Sequence, residues 1–346
     1  MARFGLEFAS DQRVGDIKID PSRRITTGTT TNVDRGVIPD RDGGSFYLSV
    51  AVKSVRDGVD DSGMLASEIE ACARLSKNRI TAQYVSPFLV SDDKSRLVMF
   101  DLPEFGYTEK FVDFMSGLTL PEQRILFLQL GKAAFSFLYG ALYESGMVMR
   151  DIFGSDHKGL WVGKDDRESQ CPFDFVFTDF GLWEKYGHYG EKHASRIREM
   201  FLVEENGTES MFLLFPFIRK RGDQVEVTDP VLGGYVDQKT GLSLGEILTS
   251  VLKGGLDEVL CDKKYGSDRS YNALAIFFDG MLHEIPMETL RIAETEPFSV
   301  EALVRNLAWT NLTPTQLMAL AAPFGMTGGE LRVKLIELYM ASSRRR

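Results

Sequence analysis

Two short apolar segments near the middle of the chain each end in an aspartate. The first covers residues 147–149 and is followed by Arg150 and Asp151, and the second covers residues 175–178 and is followed by Asp179. Short apolar runs bounded by polar or glycine residues are typical of buried β-strands. Two carboxylates at strand ends, one of them beside an arginine, predict a site for phosphate and a metal ion.

The first hundred residues predict a β-rich region around one lysine. Residues 25–33 form a β-branched run interrupted by Gly28, which predicts two strand ends joined by a tight turn. Residues 34–44, rich in Gly, Pro and Asp, predict a turn-rich connection. Residues 46–55 predict an apolar strand that carries Lys53. Such a lysine must reach a counter-charge, because burying it unpaired is costly.

A predicted helix at residues 62–76 offers two glutamates as this counter-charge. Its apolar residues recur at helical spacing. Glu68 lies beside the apolar face, whereas Glu70 has Arg74 four residues later, which is typical of a solvated ion pair. Glu68 is therefore the predicted partner of Lys53, and Glu70 is the alternative.

The chain changes character after residue 102. Residues 82–90 and 96–102 predict two further strands, whereas residues 109–115 and 120–143 predict a short and a long helix. Helical patterns then recur towards the C-terminus. This order of strands followed by helices predicts an α+β fold.

Composition argues against several classes of protein. The net charge of −10 disfavours a dedicated nucleic-acid binder, because phosphate contacts need clustered Lys and Arg. Three widely spaced cysteines predict neither a disulfide framework nor a zinc site, and they favour a reducing compartment. The first residues lack the apolar core of a secretory signal, and the interior apolar run at 211–218 is shorter than the roughly 20 residues of a membrane span. We therefore expect no membrane span.

The ordered motifs of the chain resemble those of the protein kinases. Residues 149–156 are similar to the catalytic loop H-R-D-L-K-P-E-N, and residues 179–181 match its Asp-Phe-Gly segment. Residues 50–53 resemble the V-A-I-K of the third strand, and residues 25–33 match the Gly-rich loop in outline. The resemblance covers roughly residues 25–183.

The resemblance implies a bilobal protein-kinase-like fold. Residues 1–24 would form an N-terminal extension. Residues 25–102 would form a small β-rich N-lobe, and residues 103–346 a larger α-helical C-lobe.

The resemblance also implies roles in binding ATP and Mg²⁺. Lys53 would position the phosphates and Glu68 would lock it. Phe100 would take the gatekeeper position, and the backbone after it would meet the adenine edge. The other residues implied for nucleotide binding are Gly28, Val33, Asp101 and Leu102. Asp151, beside Arg150, would act on the substrate hydroxyl, and the metal ligands would be Asp179 and Asp156.

The catalytic loop departs from the family pattern at several places. Met149 replaces the His, Phe153 replaces the Lys, and Asp156 stands in place of the Asn. No A-P-E element follows the Asp-Phe-Gly segment. The A-P-E region shapes the peptide platform of protein kinases, so its absence favours a different acceptor or a pseudokinase.

The implied function is ATP- and Mg²⁺-dependent phosphoryl transfer to a Ser or Thr hydroxyl of a protein substrate. One alternative is a kinase-fold enzyme with a non-protein acceptor, or one that transfers AMP. The other is a pseudokinase that acts as a binding scaffold. The departures are similar to those of divergent bacterial and viral kinases, including secreted effectors. The expected location is therefore the cytoplasm of the producing cell or of a host cell.

Overall fold

The structure is a computed structural model of the 346-residue chain. It describes residues 8, 12–27, 30–39, 47–59, 62–148, 159–164, 172–185, 202–203, 209–210, 215–238, 240–253, 273–291, 317, 321 and 325–343. The described residues form a mixed α+β structure with one large antiparallel sheet and several helices. The predicted α+β class is thus confirmed, whereas the bilobal protein-kinase-like arrangement stays a prediction.

Five antiparallel strands make the large sheet, in the spatial order β1-β2-β3-β5-β4. They are β1 (Lys18–Thr27), β2 (Thr31–Pro39), β3 (Tyr47–Val55), β4 (Phe88–Val90) and β5 (Arg96–Phe100). The connection predicted at residues 34–44 is wrong for its first half, because β2 continues to Pro39 through the β-branched Val37 and Ile38. The strand predicted at 82–90 begins only at Phe88, after a 3-10 turn at Thr81–Tyr84.

The two faces of this sheet have different surroundings. On β3, Val50 and Val52 are buried on one face, where Val14 and Ile17 of the preceding segment cover them. Gly36 of β2 lies under this cover, and a Cβ atom there would approach Ile17 to 2.9 Å. Side chains alternate between faces along a strand, so Lys53 lies on the opposite face. The N-terminal segment therefore packs on the face opposite Lys53.

The remaining regular elements follow in chain order. The helices are α1 (Ser62–Leu75), α2 (Phe111–Ser116), α3 (Leu120–Tyr139), α4 (Pro230–Gly233), α5 (Leu244–Lys253), α6 (Ala273–Glu284), α7 (Met287–Leu290) and α8 (Gly328–Ser343). The short strands are β6 (Met147–Val148), β7 (Leu160–Lys164), β8 (Phe173–Phe177), β9 (Glu184–Lys185), β10 (Leu202–Val203), β11 (Glu209–Ser210), β12 (Ile218–Arg221) and β13 (Gln224–Val227). They pair as β6 with β9, β7 with β8, β10 with β11, and β12 with β13.

The chain forms two compact units. The first comprises Met1–Phe111, Phe137–Asp165 and Asp174–Tyr189, and the second comprises Val112–Ser136, Asp166–Phe173 and Gly190–Arg346. The five-stranded sheet and α1 belong to the first unit. Helices α4 to α8 belong to the second.

One long apolar helix passes the length and composition test for crossing a membrane. It runs from Leu120 to Glu144, where α3 continues into a turn of π-helix, and 89% of its apolar window is buried inside the structure. A core helix of a soluble protein has the same properties, so this helix is weak support for a membrane span. The result is consistent with the prediction of no membrane span.

Aromatic rings pack around α3 in the second unit. Phe127 makes edge contacts with Phe215, Phe217 and Phe278, with ring centroids 4.9–5.6 Å apart. Phe278 also lies against Gly131, where a Cβ atom would come within 2.7 Å of the ring. Position 131 therefore admits no side chain while Phe278 keeps its place.

A buried ion pair also stabilises the second unit. Arg124 of α3 donates from Nε to Asp229 Oδ2 at 2.7 Å, and both side chains are buried. Asp229 is also the N-cap of α4, because its Oδ1 accepts the amide protons of Val231 and Leu232 at 3.0 and 2.9 Å. This carboxylate therefore joins α3 to the start of α4.

Replacing Arg124 by Met should lower the free energy of unfolding by about 3 kcal/mol, because Asp229 would stay buried without its cation. Lys132→Met is the matched control, since Lys132 also lies on α3 and pairs with Asp279 at 2.5 Å, but this pair is partly exposed. The control should cost less than about 1 kcal/mol. Urea denaturation followed by circular dichroism measures both values, and equal losses would contradict the role given to Asp229.

Candidate functional site

Lys53 lies between two carboxylates in the first unit. Its Nζ atom is 2.6 Å from Glu68 Oε2 and 2.9 Å from Asp179 Oδ1. The Lys53 and Glu68 side chains are 13% and 1% exposed, whereas that of Asp179 is 56% exposed. The structure thus brings together three residues that lie far apart in sequence. The competing Glu70 instead pairs with Arg74 at 3.1 Å.

The sheet and α1 position the Lys53–Glu68 pair. Lys53 lies on β3, the central strand of the sheet, opposite Val33 of β2 and Leu97 of β5. Helix α1 buries Leu65 and Cys72, which lie three residues before and four residues after Glu68. This spacing puts Glu68 on the buried side of the helix. The apolar face of α1 therefore carries one charge, and Lys53 is its counter-ion.

Asp179 has a backbone conformation that is unusual for a residue other than glycine. Its φ and ψ angles are 61° and 57°, in the left-handed region. The next residue, Phe180, is fully buried, with its ring 5.1 Å from that of Trp183 and 6.3 Å from that of Phe137. Left-handed backbone costs an L-residue about 1–2 kcal/mol. The packing of Phe180 offsets this cost, and it holds the Asp179 carboxylate at Lys53.

Burial and charge act in opposite directions on this cluster. Burial raises the pKa of Glu68 above its ordinary value of 4.5, the Lys53 ammonium opposes the rise, and the Asp179 carboxylate adds to it. Burial alone would lower the pKa of Lys53, but the charges of Glu68 and Asp179 together raise it above 10.5. Burial also raises the pKa of the nearby Cys72 thiol, which stays protonated. Lys53 therefore remains a cation shared by two carboxylates.

The raised pKa of Glu68 predicts a pH dependence that Glu68→Gln removes. In the wild type, the folded state holds the Glu68 proton more tightly than the unfolded state does. Stability therefore falls as the pH rises from 4.5 through the raised folded-state pKa. Glutamine does not titrate, so the free energy of unfolding of the wild type relative to Glu68→Gln should fall across this window.

Urea denaturation at half-unit steps between pH 4.5 and 7.5 measures this difference. Glu70→Gln is the matched control on the same helix. Its ion pair with Arg74 is largely exposed, so the difference from wild type should stay nearly constant. A wild type that gains stability over Glu68→Gln as the pH rises would show that ion pairing outweighs burial at Glu68.

The assignment of Asp179 as a Mg²⁺ ligand stays a prediction. Among the residues that the structure describes, no group of three or more His, Cys, Asp or Glu side chains could hold a metal ion. Mg²⁺, however, usually keeps several water ligands and is bound by one or two carboxylates together with substrate phosphates. The exposed carboxylate of Asp179, next to a buried cation, suits that mode of binding.

Four of the predicted site residues lie outside the described residues. They are Gly28, Arg150, Asp151 and Asp156. Val33 is described, and its position opposite Lys53 in the sheet puts both side chains on the same face.

The segment predicted to meet the adenine edge forms a tight turn. Residues Leu102–Phe105 form a 3-10 turn, in which the carbonyl oxygen of Asp101 accepts from the Glu104 amide at 2.9 Å. The carbonyl oxygen of Leu102 likewise accepts from the Tyr107 amide at 3.1 Å, and the Asp101 amide donates to Ser49 at 3.2 Å. These backbone groups therefore already have intramolecular partners.

The gatekeeper assignment to Phe100 is wrong, because this side chain lies on the covered face of the sheet. Phe100 is opposite Val50, and its ring stacks on Phe8 with centroids 4.5 Å apart. Met99 is opposite Ala51, which lies two residues before Lys53 and shares its face. Met99 is half-buried and lies on the Lys53 face, where the Phe100 side chain was expected.

Sequence reasoning also missed Arg35, which lies on the Lys53 face. Arg35 of β2 is opposite Ala51, and its Nε atom donates to the Asp101 carboxylate. Ser49 Oγ donates to the same carboxylate at 3.0 Å. The two-residue period of a strand was the available signal for the face of Arg35, because it puts Arg35 on the same side as Val33.

Comparison with known proteins adds no relative to this picture. No protein-family model and no curated protein sequence matches the chain.

Proposed function

We propose that this chain is a divergent kinase that transfers a phosphoryl group from ATP to a hydroxyl group, with Mg²⁺ as cofactor and a protein Ser or Thr as acceptor. The observation that carries the proposal is the placement of Lys53 between the buried Glu68 and the exposed Asp179. A bilobal protein-kinase-like fold belongs to the same proposal. The order of strands, helix and Asp-Phe-Gly segment along the chain supports it.

Lys53 would be the residue that holds the phosphates. Its bond to Glu68 is buried, whereas its bond to Asp179 is open to solvent. Phosphate oxygens could therefore replace Asp179 at Nζ while Glu68 keeps the ammonium in place. Asp179 would then be free to bind Mg²⁺, which neutralises phosphate charge in such reactions. The buried glutamate thus fixes the position of Lys53, and the exposed aspartate is the exchangeable partner.

The surface beside Lys53 suits the rest of a nucleotide. Val33, Ala51 and Met99 share its face of the sheet and are half-buried. Apolar side chains next to a fixed cation can bind an aromatic base and its polyphosphate together. Val33, Ala51 and Met99 form what we call the apolar floor. This floor supports ATP rather than free phosphate as the ligand.

The transfer itself would break the bond between the γ-phosphorus and the oxygen that bridges it to the β-phosphate, and would form a bond from phosphorus to the acceptor oxygen. ADP leaves with the bridging oxygen. The proton of the acceptor hydroxyl would pass to Asp151, a role that comes from the sequence resemblance alone. The described residues contribute binding and charge stabilisation.

Incubation with Mg²⁺ and ATP labelled at the γ-phosphate tests this function. The wild type should transfer label to itself or to a mixture of proteins, and Lys53→Met and Asp179→Asn should each lower the rate at least about 100-fold. Glu70→Gln should transfer at the wild-type rate, because Glu70 pairs with Arg74 and not with Lys53.

The position of the label separates the proposed reaction from its alternatives. Retention of label from the α-phosphate would instead indicate transfer of AMP. Label passing only to added small molecules would indicate a non-protein acceptor. ATP binding in a thermal-shift assay with no transfer to any acceptor would contradict the proposed activity and favour a pseudokinase.

A further inference from the structure

A second charged cluster lies on the same face of the sheet as Lys53. Ser49, Ala51 and Lys53 alternate along β3 and therefore point to one side. Arg35 is opposite Ala51 in the register of β2 and β3. Its guanidinium reaches the carboxylate of Asp101, which follows β5. The apolar floor is thus bounded by Lys53 at one end and by the Arg35–Asp101 pair at the other.

The carboxylate of Asp101 has an unusual environment, because the side chain is completely buried. Oδ2 accepts from Arg35 and from Ser49, while Oδ1 has no partner among the described residues. A buried carboxylate needs a cation, since an unpaired charge is strongly disfavoured. The Asp101 charge therefore fixes the guanidinium of Arg35.

Arg35 is the accessible member of this pair. Its side chain is 23% exposed, and NH1 lies 3.5 Å from the half-exposed Glu104. Two carboxylates thus hold one planar guanidinium at the open side of the sheet. Guanidinium planes stack on nucleobases, and an arginine whose geometry is already fixed loses little entropy on doing so.

The two cations lie at different positions along the same face of the sheet. Arg35 is opposite Ala51, which is two residues, or about 7 Å, from Lys53 along β3. The guanidinium of Arg35 binds the same Asp101 carboxylate oxygen as Ser49, which is two residues further from Lys53. Phosphates at Lys53 would therefore leave the sugar and base directed towards Arg35.

We infer that Arg35, positioned by Asp101, contacts the nucleoside part of the nucleotide and stacks on its base. The inference rests on the proposed binding of a nucleotide at Lys53. Stacking depends on the π-face that all bases have, so Arg35 adds affinity without selecting adenine over guanine. Asp101 is a positioning residue, because it acts through Arg35.

Calorimetric titration of the full chain with ATP, GTP and inorganic tripolyphosphate tests this inference. Arg35→Met should weaken ATP and GTP binding about 10-fold and leave tripolyphosphate binding unchanged. Asp101→Asn should weaken the two nucleotides in the same pattern, because Arg35 is no longer held. Asp101→Asn also removes the buried charge, so this variant still tests the inference if Arg35→Met does not fold.

Arg24→Met is the matched control. Arg24 pairs with Asp34 at 2.7 Å on the same hairpin, but Asp34 is buried and lies next to Arg35 in sequence, so it points to the opposite face. This variant should bind all three ligands as the wild type does.

Two results would overturn the inference alone. One is an equal loss of tripolyphosphate and nucleotide affinity in Arg35→Met, which would make Arg35 a general source of charge. The other is unchanged nucleotide binding in both Arg35→Met and Asp101→Asn. A wild type that binds neither tripolyphosphate nor nucleotides would instead overturn the proposed function, and the inference with it.

Discussion

The sharing of one lysine between two carboxylates is the interaction on which the first unit depends. Glu68 could not stay ionised in the interior without Lys53, and Lys53 could not stay charged on an apolar strand without Glu68. The pair thereby fixes α1 against the sheet. Asp179, in a third segment, pairs with the same lysine. The Nζ atom of Lys53 therefore connects β3, α1 and the Asp-Phe-Gly turn. A packing requirement and the proposed phosphate site therefore depend on the same three side chains.

The sequence was sufficient for the parts of this site that follow from local periodicity. Helical spacing separated Glu68 from Glu70, because one lies beside the apolar residues of α1 and the other is four residues before an arginine. The apolar character of β3 likewise indicated that Lys53 needs a partner. Both conclusions use residues within one element, where the repeat of the helix or strand decides which side chains share a face.

The errors arose where the answer depends on pairing between strands. Residues 97–100 are apolar without a break, so no alternation shows which face each one occupies. Only the register with β3 puts Met99 beside Ala51 and Phe100 on the covered side. The contact between Arg35 and Asp101 is similarly long-range, since 66 residues separate them. The residues next to Arg35 and Asp101 in sequence do not indicate that these two side chains form a pair.

The two ion pairs of strand β2 have a consequence for how this strand can pair at all. Asp34 and Arg35 are neighbours with opposite charges, and each is bound on its own face, to Arg24 and to Asp101 respectively. A slip of β2 by one residue would exchange the faces, and it would bring the Asp34 carboxylate towards the buried Asp101. Like charges would then repel in a place without water. Misregistered hairpins are thus penalised electrostatically during folding, in addition to the loss of apolar burial.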